Sequence, residues 1–283
     1  MKSVANFLLR LALGLLLGGL LSTILVRFAP GYGVDERELD PTLSESTRAR
    51  IRQQAGASNI WSAYSQFVMR TVHGDFGFSS SLNSPVVDLL ADRAPLTVKT
   101  VAGGVILAWA IALPFAAVSV LWKGAAIPLV AASTVLLCLP LGLVAICLFL
   151  EGIPAAGVVA AGVLPKVFTY MRQLLSASGE RPHVLGAMAR GISPWRVFWM
   201  HRVVPTAPES LSLLGVSITI ALGAAIPAEV LCDSPGLGQL AWKAAVARDI
   251  APLLTLTWLM TAITFTANTL GGAAANSERM WRE

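Results

Sequence analysis

The stretch LTVKTVAGGVILAWAIALPFAAVSVL, residues 96–121, holds a single charge, Lys99, near its start. A continuous apolar run of this length has no polar face to turn toward water. It is long enough to cross the hydrocarbon core of a bilayer, which takes about 20 helical residues. The pattern repeats on both sides. Only Lys123 and Gly124 stand out before IPLVAASTVLLCLPLGLVAICLFL at 127–150, and only Glu151 and Gly152 before IPAAGVVAAGVLPKVFTY at 153–170. Further out lie Phe7–Phe28, Ala207–Leu231 and Pro252–Gly272. These runs predict an all-α membrane protein of six transmembrane helices with both termini on one side. Pro114, Pro140, Pro165 and Pro227 fall inside them. Such breaks are tolerated where neighbouring helices or a water-filled cavity satisfy the freed backbone groups.

Composition agrees. Hydrophobic residues make up 55% of the 283 and charged residues only 13%, with a mean hydropathy of +0.68. A soluble domain averages about 25% charged, so there is too little polar surface here to cover a soluble fold. The net charge of +5 reads as Lys- and Arg-rich cytoplasmic loops, not as a nucleic-acid site. The three cysteines, Cys138, Cys147 and Cys232, are odd in number and form no C-x-x-C pair. Neither a disulfide framework nor a metal site is expected from them.

Lys2 and Arg10 flank the start of the first run. A signal peptide has similar charges, but the run is long and no A-x-A site follows it. A retained first span, residues 1–29, is expected, with its N-terminus in the cytoplasm. Residues 30–95 change character: acidic positions from Asp35 to Glu45, then Arg48, Arg50 and Arg52, with frequent Ser, Gly and Pro. This reads as a polar extracytoplasmic insert. Ser44 to Gln54 suggests a short helix stopped at Gly56. Trp61, Tyr64, Phe67 and Val68 recur at helical spacing, the mark of a helix lying against the protein or the bilayer interface.

The segment 171–206 carries Arg172, Arg181, Arg190, Arg196 and Arg202 against Glu180 alone, whereas Lys243 and Arg248 at 232–251 are balanced by Asp233 and Asp249. The basic segment should be cytoplasmic, which puts 30–95 and 232–251 outside. Five of the spans then form a core over 96–272, and 273–283 is a cytoplasmic tail. Within 171–206, Gly186-Ala187-Met188-Ala189-Arg190-Gly191 places small residues at helical spacing. Gly191 suits a helix C-terminal stop. Ser193 suits the cap of a second short helix with Pro194 at its first position. The expectation is a helix–turn–helix elbow with Trp195, Val197, Phe198 and Trp199 as an apolar face. Two readings of it stand: an interfacial helix anchored by tryptophans, or a docking site whose small residues let another surface approach.

Catalytic chemistry is not legible in this chain. No G-x-x-x-x-G-K-[S/T] phosphate cradle occurs. His73, His183 and His201 are scattered, and nothing joins a Ser and a His into a triad. Glu229, near the end of the fifth span, is costly in a membrane unless paired or facing water. It reads either as a gate residue or as a carboxylate bonding the backbone of the Pro235–Gly238 turn. Lys99 and Lys166 can snorkel to the membrane surfaces.

Ala187-x-Ala189-x-Gly191, ten residues ahead of His201, resembles the coupling-loop motif of ABC importer membrane subunits. The likeness is closest to the inner-membrane permeases of the dipeptide, oligopeptide and nickel transport family. Gly74-Asp75-Phe76-Gly77-Phe78-Ser79 before Pro85-Val86, and Arg93-Ala94-Pro95-Leu96-Thr97, are similar to the family in the same order. So are Glu229, Ser234-Pro235-Gly236-Leu237-Gly238, Ala244, Arg248-Asp249 and Asn268, and Arg172 sits where the family has an arginine ending the fourth span. The likeness runs over about residues 70–270. It implies a permease that pairs with a second homologous permease, two cytoplasmic ATPase subunits and an extracytoplasmic substrate-binding protein. This chain would bind no cofactor, since ATP and Mg belong to the ATPases. Ala187, Ala189, Gly191, Ile192, Trp195, Phe198 and His201 would couple to an ATPase. Gly74, Asp75, Glu229, Pro235, Gly236, Gly238, Arg248 and Asp249 would form an outer loop or gate.

Departures from the family pattern are Leu185 for an acidic residue, a short connection at Glu151, Pro205 and Pro208 in a varied run, and Gly272 for a late aspartate. They bear on the solute more than on transport. The alternative class is an ATP-independent secondary transporter or channel, which predicts inverted repeats or several buried charges in the spans. A purely structural scaffold would need neither the elbow nor the ordered outer-loop motifs.

Overall fold

The computed structural model describes residues 2–28 and 60–279. The helix expected over Ser44–Gln54 and the charge cluster around it lie outside them. With no water to pair its peptide groups, an apolar run in a bilayer must satisfy them internally, and the described chain is almost wholly helical. In order it forms α1 (Lys2–Phe28), α2 (Ile60–Val72), α3 (Val86–Leu121), α4 (Lys123–Cys138), α5 (Leu141–Leu150), α6 (Ala155–Gly179), α7 (Pro182–Ala189), α8 (Pro194–Leu231), α9 (Leu237–Val246) and α10 (Ile250–Arg279). The all-α expectation needs one amendment. Between α2 and α3 a small antiparallel ribbon, β1 (Phe78–Ser79) and β2 (Ser84–Pro85), pairs Phe78 with Pro85 and Ser79 with Ser84. Asn83, at φ 51°, turns the chain between the two strands.

Two compact units emerge: Met1–Arg93 with Leu240–Ala262, and Ala94–Gln239 with Ile263–Glu283. In the first, α1 meets the start of α10 through glycines. A Cβ on Gly14 or Gly18 would fall 3.7 and 3.6 Å from Thr261, and one on Gly19 would collide with the side chains of Trp258 and Tyr64. Small residues at i and i+4 let helices approach closely in a membrane, and here they serve packing within the chain. Tyr64, Phe67 and Leu254 form the buried centre, with Leu20, Val68, Ile250 and Trp258 around it. The stripe Tyr64–Phe67–Val68 therefore lies against the protein, while Trp61 is left exposed.

In the second unit α6 and α8 build the core from small and β-branched residues. Val158, Val159, Val163, Val167, Ala221, Ala224 and Ala228 are all buried. Close approach continues between α8 and α10, where a Cβ on Gly215 would lie 2.5 Å from the Ala267 carbonyl oxygen. One turn on, Asn268 donates to the Thr219 hydroxyl at 2.8 Å. Polar side chains bond across helices elsewhere too: the Trp109 indole N–H donates to Ser217 at 3.1 Å.

Six spans were expected; among the described residues four helices are long and apolar enough to cross a membrane, or five if one bent pair counts as a single span. Two runs account for the difference. The run 127–150 is split into α4 and α5, which meet at 102°. Leu139 precedes Pro140, and a residue before proline is pushed out of the helical region; both take extended backbone, at ψ 132° and 128°. α6 is a single 25-residue helix, but Lys166 and Arg172 dilute its hydropathy. Its apolar residues face other helices, so it needs less lipid-like surface than an outer span. By contrast only 11% of the apolar window of α1 is buried. Helix limits also shift. α3 starts ten residues before the apolar run and spans about 54 Å at 1.5 Å per residue. α6 continues past Tyr170 to Gly179, and α8 begins at Pro194, so 171–206 is mostly helix and not a loop.

Candidate functional site

The motifs group into three places, each within one unit. The first is the turn leading into α9. The first amides of a helix lack intrahelical partners, and here other helices supply them. Thr97 Oγ1, from α3, accepts from Leu237 N–H at 2.7 Å. Glu229 Oε2, from the end of α8, accepts from Gly238 N–H at 2.7 Å and from Gln239 N–H at 3.4 Å. Glu229 is fully buried, and its Oε1 has no hydrogen-bond partner. A negative group at a helix N-terminus also meets the positive end of the helix dipole. Of the two readings of Glu229, the geometry favours the backbone-bonding one. Gly236 and Gly238 are required by the same contact. A Cβ on Gly236 would fall on the Glu229 carboxylate, and one on Gly238 would lie 2.8 Å from Ile226 Cα. Asp233, at φ 45°, accepts from the Gln239 side chain at 2.9 Å. Just after the span, burial pushes the Cys232 thiol up, which keeps it protonated and unreactive at neutral pH.

The second place joins the Gly74–Ser79 motif to Asp249. Gly74 and Gly77 both take positive φ, 81° and 84°, and Asp75 accepts from Gly77 N–H at 2.9 Å. Asp249 is 4% exposed. Its Oδ2 accepts from Ser79 Oγ at 2.7 Å, from Ser81 Oγ at 2.8 Å and from Ser81 N–H at 2.9 Å. The adjoining Arg248 sits at φ 55°, a left-handed conformation that a non-glycine residue adopts only when its surroundings hold it there. These bonds fasten the turn after Phe78 to the residue just ahead of α10. Thr97, Ser79 and Ser81 were not singled out as site residues from sequence. A serine run facing an acidic residue some 170 positions away leaves no local signal.

The third place is the α7–α8 junction. α7 ends in a Schellman arrangement: Gly191 N–H donates to Met188 O at 3.0 Å and Ile192 N–H to Ala187 O at 3.3 Å, with Gly191 at φ 73°. Ile192 packs on Val184, Ala187 and Val197. The stop at Gly191 and the start at Pro194 are as expected, but the Ser193 hydroxyl makes no cap bond. The apolar face also divides differently. Ala187, Val197 and Phe198 are buried in the chain, so they hold the junction together and cannot offer outward area. Ala189, Gly191 and Trp195 are exposed, and Ile192 and His201 half-buried. The outward surface consists of Leu185, Met188, Trp195, Trp199 and Met200, with the Trp195 and Trp199 rings edge-to-face at 5.6 Å. His201 O lies 3.4 Å from the His183 ring, and no cluster of three metal-ligating side chains occurs among the described residues.

Comparison with known proteins matches the sequence to a family. Residues 104–276 match the family described as binding-protein-dependent transport system inner membrane component. The chain is 25% identical to the oligopeptide transport system permease protein OppB of Salmonella typhimurium over 267 residues, 86% of each chain. Identity to OppB of Escherichia coli K12 is the same over the same length. To the permease AppB of Bacillus subtilis it is 23% over 281 residues, 88% of this chain and 89% of that one. Since the family match covers more than half of the chain, this protein belongs to the inner-membrane components of binding-protein-dependent transport systems, the non-catalytic permease subunits of ABC importers.

Proposed function

We propose that the chain forms half of the translocation pathway for peptides or a related small solute handed over by an extracytoplasmic binding protein. A second homologous permease forms the other half, and two cytoplasmic ATPases, which carry ATP and Mg, drive the cycle. The observation that carries this reading is similarity to oligopeptide permeases over 86–88% of the chain. In the proposed topology the bent α4–α5 pair and α6 each count as one crossing, which gives six with both termini cytoplasmic. The turn into α9 and the Asp249–Ser79–Ser81 cluster then face the binding protein. The α7–α8 junction faces the cytoplasm, where its exposed Trp195 and Trp199 meet an ATPase. A coupling contact can shift the permease only by the difference in contact energy between its two states, so a firmly closed junction suits the task. Arginine excess around it fits a cytoplasmic side.

The test is purification of the tagged chain from its native membrane in mild detergent, followed by reconstitution. A co-purifying ATPase and ATP-dependent peptide uptake that requires a binding protein are expected. Uptake driven by an ion gradient without any ATPase would replace this reading with a secondary transporter.

A further inference from the structure

The segment between the first and second long helices was expected to be a polar insert outside the membrane, yet α2 keeps company that such a segment does not have. From Ile60 to Val72 it carries one charge, Arg70. Its Tyr64 hydroxyl donates to the Leu16 carbonyl at 2.7 Å. Leu16 is the midpoint of the apolar span Asn6–Val26. Tyr64 therefore bonds backbone at the centre of a membrane-crossing helix. Phe67 lies edge-to-face with Trp258 at 5.4 Å, two turns into α10. A Cβ on Gly77 would touch Ala251 at 3.4 Å, beside the first residue of α10. Going from Tyr64 to Gly77, the partners thus climb from mid-span to the end of a span. Eight residues from Tyr64 to Val72 rise about 12 Å, close to the roughly 15 Å half-thickness of a hydrocarbon core.

The side of α2 not covered by the chain is mixed: Gln66 and Arg70 are exposed on it beside three large apolar side chains. Trp61, Met69 and Val72 are 65%, 70% and 77% exposed and share one helical face with Ser65. At the depth fixed by Tyr64 and Leu16, the medium around that face is acyl chain. We infer that α2 is embedded in the membrane, rising from its middle toward one surface, and that Trp61, Met69 and Val72 form a lipid-facing stripe. The inference rests on α1 crossing the bilayer and is independent of the solute and of the ATPase partner.

Single cysteines test it. Trp61→Cys, Met69→Cys and Val72→Cys are made one at a time in a C138S, C147S, C232S background. Each is nitroxide-labelled in the full-length chain, assembled with its partners, in proteoliposomes. Collision with oxygen, which concentrates in acyl chains, is compared with collision with a water-soluble nickel chelate. Leu17→Cys on the exposed side of α1 gives the lipid reference and Glu180→Cys the water reference. The expected oxygen-to-nickel ratio at residue 61 matches that at residue 17, and it falls stepwise through 69 to 72. A ratio at 61 and 69 equal to that at 180 would place α2 in water and overturn the inference. Low collision with both reagents would show a protein surface, such as the second permease, covering the stripe, and would overturn it as well. Because the labels sit on exposed side chains, misfolding is not the expected cause of either result. Uptake by each labelled complex checks this, and its loss with unchanged collision ratios would leave the depth of α2 as inferred.

Discussion

Two helix junctions in this chain are secured in opposite ways. Where α9 begins, its free amides are taken by Thr97 and Glu229, side chains borrowed from two other helices and buried with it. At the junction between α7 and α8, backbone closes on backbone around Gly191, and the one candidate side-chain cap, Ser193, stays unused. The first arrangement fastens a turn to the body of the permease. The second makes a self-contained corner, folded on Val184, Ala187 and Val197, that leaves Trp195, Trp199 and Met188 uncovered. A loop that is part of the wall needs outside fastening, whereas a segment that works against a partner needs internal stiffness and free apolar area.

The contrast predicts an order of sensitivity. Gly238→Val should be the most damaging change, because its Cβ would press on the backbone of Ile226 and Ala225, which cannot yield as a side-chain tip can. A loss of about 3 kcal/mol is expected, at the upper end of overpacking costs, read as a lowered unfolding midpoint in detergent. Next comes Glu229→Ala, which strands the amides of Gly238 and Gln239. Orphaned buried donors cost about 1–3 kcal/mol. Glu229→Gln keeps one acceptor oxygen and should fall between Ala and wild type; equal stability of all three would show that the carboxylate does not fasten α9. At the other junction Gly191→Ala meets no steric neighbour but must hold φ 73°, at a cost of about 1–2 kcal/mol. Ser193→Ala should stay within about 0.5 kcal/mol of wild type, as for surface changes generally. A larger loss would mean that the two junctions are not fastened differently after all.

Much of this was legible in advance, and what was not has physical causes. The spans follow from apolar runs because nothing else satisfies backbone in lipid. Hydropathy counts residues and not dihedrals, so it passed over the break that Pro140 imposes between α4 and α5. Nor does it show that α6 is enclosed by other helices. Gly191 announced a helix stop because few other residues take its conformation. The same reading took Ser193 for a cap, but residue type does not fix where a hydroxyl points. The face of the junction was misjudged at Phe198, which lies where the helix widens to the π form, outside a simple 3.6-residue period. Asp249 gained its partners from a serine turn some 170 residues away, a distance at which single-sequence pattern is silent.

The account turns on the uncovered tryptophans at the α7–α8 junction meeting an ATPase. The most direct measurement uses Trp195→Ser with Trp199→Ser in the reconstituted complex, following ATPase affinity, hydrolysis and peptide uptake together with the unfolding midpoint of the permease. Both side chains are exposed, so the midpoint should hold. Tryptophans at the centre of an interface are each worth about 2 kcal/mol or more, so losing one should lower ATPase affinity by roughly 30-fold and losing both by up to roughly 700-fold at 1.4 kcal/mol per tenfold, with uptake lost alongside. Wild-type affinity, hydrolysis and uptake in the double variant would contradict the account and leave the junction as a tryptophan anchor at the membrane surface.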